Sequence, residues 1–124
     1  APEIIINEPY NQMVDVWSLG ITAIEIVTGK VPHHNKKAAP AMRAIATSRA
    51  PRLPNEYSEE IRDFIKSCLS KDPDERKPLD QLLKLNFIAK AGDLKGWLPR
   101  KAYNLHSTEK AKRQQLLEQD RKSR

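Results

Sequence analysis

The chain has 124 residues, of which 39% are apolar, and a formal net charge of +6. That composition supports one modest core, and no apolar run reaches the roughly 18 to 20 residues that a membrane-spanning helix needs. With no basic-then-apolar leader either, a soluble chain in a cytoplasmic setting is the expectation.

The first strong element is a helix over about 13–27, where "MVDVWSLGITAIEIV" places apolar residues on every side of a 3.6-residue period and Gly29 supplies a stop. A helix apolar all round is central and buried, and in so short a chain part of its surface is expected to meet something else. "VPHHNKK" then reads as a polar turn; His33 and His34 lack the second ligand pair of a zinc site, so no metal is assigned. "APAMRAIATS" reads as a short helix with Pro40 in its first turn, and Pro51 and Pro54 end regular structure beyond it.

The clearest amphipathic helix runs from Ser58 to about Ser70. Ser58 can cap it, Glu59 and Glu60 suit its positive end, and Ile61, Phe64, Ile65, Cys68 and Leu69 form one stripe that should pack on the central helix. Cys68, the lone cysteine, reads as a small buried hydrophobe. After the charged turn "KDPDERKP", a helix near 79–85 is expected to turn Leu79, Leu82 and Leu83 inward, with Phe87 and Ile88 following. Beyond Gly92 the pattern weakens: Leu94, Trp97 and Leu98 suit a docking segment over 89–106, and 107–124 reads as a basic exposed helix or disordered tail in which Leu116 and Leu117 are the main apolar pair. No period-2 alternation marks a strand, so the fold class expected is all-α.

The basic excess lies wholly in the second half of the chain. Such asymmetry fits a basic tail that meets an acidic partner, a membrane surface or nucleic acid, although a solvated helix face is the commoner cause. Nucleic acid is not expected, because Tyr103 is the only aromatic residue after Trp97 and base stacking has little to use.

Three features stand together in order: "APE" at 1–3, "DVWSLG" at 15–20 and Arg76 within "DPDERKP". At this separation they resemble the last third of a eukaryotic protein kinase, the helical lobe from the end of the activation segment onward, over about Ala1 to Ile88. "WSLGITAIEIVTGKVPH" and "LLKLNFI" look most like the sterile-twenty-like serine/threonine kinases. The resemblance implies a partial kinase domain over 1–88, built around one buried central helix.

The resemblance also implies roles. Glu3 would pair with Arg76, bolting the substrate-binding loop to the helical lobe, whereas from charge alone the two would be ordinary solvated groups. Asp15 would support the catalytic loop by accepting backbone N–H bonds; helix capping is its local alternative. Trp17 and Gly20 would pack beneath that loop, the ring by its area and the glycine by allowing close approach. Glu25 is a candidate contact for a basic substrate residue, set against a plain polar role near the helix end. Where the family commonly has Arg-Pro-Thr/Ser, this chain has Arg76-Lys77-Pro78, so the next helix loses its hydroxyl cap.

Phosphoryl transfer in that family needs a glycine-rich loop, a strand lysine, a His-Arg-Asp loop with its asparagine and an Asp-Phe-Gly aspartate. None is present here, so no catalytic, cofactor-binding or metal-binding residue is assigned, and the resemblance places them before Ala1. The expectation is a fragment of an ATP-dependent serine/threonine kinase, inactive by itself. ATP and magnesium are implied for the parent, with protein substrates and the missing N-terminal part of the kinase as partners. The alternative is a non-catalytic, kinase-derived binding module or scaffold.

Overall fold

A computed structural model describes residues 1–92, 112–115 and 119. The chain forms two units, Ala1–Lys90 and Ala91–Arg124. In the second, residues 112–115 are helical and exposed, while the expected docking role of Leu94, Trp97 and Leu98 and the pair Leu116 and Leu117 lie outside the described residues. All regular structure among the described residues is helical, and no helix there is long and apolar enough to cross a membrane.

The first unit opens with a one-turn helix, α1 (Pro2–Ile5), which has proline at its first position, where a missing N–H costs nothing. The central helix α2 (Met13–Thr28) follows. Its start is capped from outside, since Asn11 Oδ1 accepts from Met13 N at 2.9 Å. Its end is Gly29, in the left-handed region at φ 74°, whose N–H closes onto the Glu25 carbonyl at 2.7 Å. α3 (Ala38–Thr47) has no fully buried residue, and 48–58 is irregular around Pro51 and Pro54.

Packing of α2 on α4 (Glu59–Cys68) builds the core. Val16, Trp17 and Ile24 of α2 meet Ile61, Phe64, Ile65, Cys68 and Leu69 of the α4 stripe, with Leu53 and Leu82 closing the edges. Each fully buried apolar side chain of this size contributes roughly 1.5 to 3 kcal/mol. The two helices approach so closely at Gly20 that a Cβ there would lie 2.7 Å from Cys68 Cβ and 2.7 Å from Leu69 Cγ. α2 is not buried all round: Leu19 and Ile26 face solvent, Ile26 with 78% of its surface exposed.

Three local expectations are corrected. Ser58 holds the N-cap position of α4, but its side chain makes no capping bond. The first-turn carboxylate of Glu60 is held below its ordinary pKa, most by its own backbone N–H and then by Ser58 and Lys90. The expected helix over 79–85 stops at Leu82 as α5 (Leu79–Leu82), and a second short helix, α6 (Asn86–Ala89), follows beyond that range. Between them Lys84 N and Leu85 N bond back three residues, to Gln81 O and Leu82 O, which tightens and ends the first helix. α5 also starts without a side-chain cap, at Pro78.

The third correction is the burial of Leu79 and Leu83. A single turn can seat only one edge, and it seats Leu82, at 2% exposure, leaving Leu79 and Leu83 at 58% and 66%. Phe87 is partly out as well, its ring resting 5.1 Å from that of Phe64, while Ile88 packs at the edge of the core.

Candidate functional site

The charged turn after α4 is a compact device. Asp72 Oδ1 accepts from Asp74 N at 2.9 Å and starts the 3-10 turn Pro73–Glu75, which Ser70 braces by donating to Glu75 Oε2 at 2.6 Å. Lys77 N donates to Ser67 O at 3.0 Å, pinning the exit of the turn back to α4. Both of its ends are thus fixed, and Arg76 is directed into the protein.

Arg76 is 2% exposed and spends its donors on three segments. Nη1 and Nη2 donate to Glu3 Oε1 and Oε2 at 2.7 and 2.9 Å, a bidentate fork 73 positions apart in sequence. Nη1 also donates to Met13 O at 2.7 Å, and Nε to Ser70 O at 2.9 Å. The guanidinium lies 5.2 Å from the centre of the Trp17 ring, within cation–π reach. Glu3 is 3% exposed, and its hydrogen bonds to Arg76 lower its carboxyl pKa below the ordinary value against the opposing effect of burial. A planar fork with rigid donors suits this site in a way a lysine ammonium would not.

The structure therefore brings together Glu3, Arg76 and Trp17. Gly20 lies one turn beyond Trp17 on α2, where it admits Cys68 and Leu69 of α4. Asp15 and Glu25 stand apart from this cluster, both exposed, near opposite ends of α2 and about 15 Å apart along its axis. Asp15 is inside the first turn rather than at the cap, so the capping alternative falls to Asn11. Sequence reasoning missed the carbonyls of Met13 and Ser70 and the stacking on Trp17; backbone acceptors carry no side-chain signature. Beside Trp17, a cavity of about 340 Å³ is lined by Ile21, Pro32, His33, Ile45 and Arg49 among others.

Residues 1–88 match the protein kinase domain family. The chain belongs to that family. It is 47% identical over 90 residues to the serine/threonine-protein kinase KIC1 of Saccharomyces cerevisiae, covering 71% of this chain and 8% of that protein. It is 43% identical over 94 residues to human serine/threonine-protein kinase PAK 4, covering 74% of this chain and 16% of that protein. To the serine/threonine-protein kinase STE20 of Debaryomyces hansenii it is 41% identical over 101 residues, 80% of this chain and 9% of that protein. This kinase-domain chain thus spans less than a fifth of the length of these curated relatives.

The family implies ATP and magnesium for the parent kinase. Among the described residues no group of three or more His, Cys, Asp or Glu comes together. Of the described glycines, Gly20 is packed against α4 and Gly29 closes α2.

Proposed function

We propose that this kinase-domain chain is the part of a sterile-twenty-like serine/threonine kinase that supports the catalytic loop and forms part of the protein-substrate platform. The observation that carries the reading is the buried Glu3–Arg76 fork. It ties α1 to the start of α2 and to the turn after α4, so that whatever chain precedes α1 is held against the central helix. In this reading Asp15 and Trp17 face the catalytic loop, Gly20 lets α4 back them closely, and Glu25, free on the surface of α2, meets a basic substrate residue. ATP, magnesium and the transferring groups belong to the rest of the kinase domain, and the setting is cytoplasmic, where a lone reduced thiol such as Cys68 is at home.

A graft tests this. Residues 1–88 replace the matching segment of the PAK 4 kinase domain, and ATP-dependent phosphorylation of a protein substrate is measured. Phosphorylation is expected from the graft, with E25Q raising KM for a basic substrate more than it lowers kcat. A graft that melts cooperatively and binds nucleotide but transfers no phosphate would sink the proposal. The 124-residue chain alone is expected to show neither magnesium–ATP binding nor turnover.

A further inference from the structure

α3 ends without a local device for ending. Its C-cap, Ser48, is extended at φ −79° and ψ 167°, in place of the left-handed glycine that often closes a helix, and its last turn holds no basic residue. The carbonyls of that turn still need donors. Thr47 Oγ1 donates to Arg43 O and Ser48 N to Ala44 O, each at 2.8 Å. The next two carbonyls, Ile45 and Ala46, both accept from one group, the Lys71 ammonium, at 2.9 Å for Ala46.

Lys71 lies 25 and 26 positions further along, in the same turn that projects Arg76. Its cation sits at the negative end of the α3 dipole, where it is favourable. With three donors, an ammonium can satisfy both carbonyls and keep one for water. α3 gains from such a tether, because it buries no residue fully and its main holds on the rest are Ile45 at the core edge and contacts with α1.

We propose that Lys71 is a positioning residue which sets the pose of α3 by capping its C-terminus from across the fold. The turn after α4 then acts as a two-pronged clamp: Arg76 fixes α1 and the start of α2, and Lys71 fixes α3. The capping depends on charge and donors together, so arginine can replace lysine and methionine cannot.

Hydrogen exchange on the full 124-residue chain decides it, comparing wild type, K71M and K71R residue by residue. In K71M the α3 amides of residues 42–48 are expected to exchange roughly 10- to 100-fold faster, as the loss of a charge-assisted bond implies, while the α4 amides keep their rates. K71R is expected to restore most of the α3 protection. The proposal is overturned if α3 amides are unprotected in wild type or change by less than about twofold in K71M. It is equally overturned if α3 and α4 accelerate together, or if K71R behaves as K71M does.

Discussion

Removing Glu3 is the sharpest perturbation the structure offers. Glu3→Ala leaves the Arg76 guanidinium buried at 2% exposure with, among the described residues, the Met13 and Ser70 carbonyls and the Trp17 face as partners. Breaking one side of a buried pair typically costs about 3 to 5 kcal/mol, because an uncompensated charge is left inside. A unit of this size is expected to have roughly 5 to 13 kcal/mol in total, so a large share is at stake. At a urea slope of about 1.5 kcal/mol per M, the unfolding midpoint falls by roughly 2 to 3 M. Arg76→Met should do similar damage by stranding the carboxylate, whereas the double variant Glu3→Ala with Arg76→Met removes both charges and should be no worse than either single one. The three variants close a double-mutant cycle by urea denaturation at pH 7. A loss below about 1 kcal/mol for Glu3→Ala, or additive single losses, would refute the claim that this pair bolts α1 in place.

Acid should act through the same pair. The folded-state pKa of Glu3 is depressed from its ordinary 4.5, so its contribution is complete above that value and is lost as pH falls through the lower folded pKa; a Glu3→Gln variant should show a flatter stability profile below pH 4.5, read by urea midpoints across that range. Gly20→Ala places a methyl group 2.7 Å from Cys68 Cβ and Leu69 Cγ, and overpacking of this kind should cost about 1 to 3 kcal/mol, measured as a lowered urea midpoint; an unchanged midpoint would mean that α2 and α4 can part without penalty. Cys68 is fully buried and burial pushes its thiol up to about 11, so at pH 8 a thiol reagent should label it only as fast as the fold opens, with labelling accelerating in urea.

Local pattern was enough for the elements that end by local chemistry. The period of α2 and its closure at Gly29, and the α4 stripe from Ile61 to Leu69, follow from spacing alone, because a helix repeats every 3.6 residues whatever surrounds it. Ordered motifs were likewise enough for the family, and they pointed to Glu3 and Arg76 as partners before any distance was known. The same reasoning misjudged Leu79 and Leu83, since apolar spacing marks an inward face only where a partner surface is long enough to cover it, and the single turn of α5 seats Leu82 alone.

What the sequence by itself determined is therefore a helical chain of the protein kinase family with its central and amphipathic helices in place. Only the tertiary structure decided that Arg76 serves Glu3, Met13, Ser70 and Trp17 at once, that Gly20 answers to α4, and that Lys71 ends a helix 25 positions before it. The physical reason is common to all three. Backbone carbonyls and close approaches leave no mark in residue type or period, and their partners are chosen by how distant segments pack.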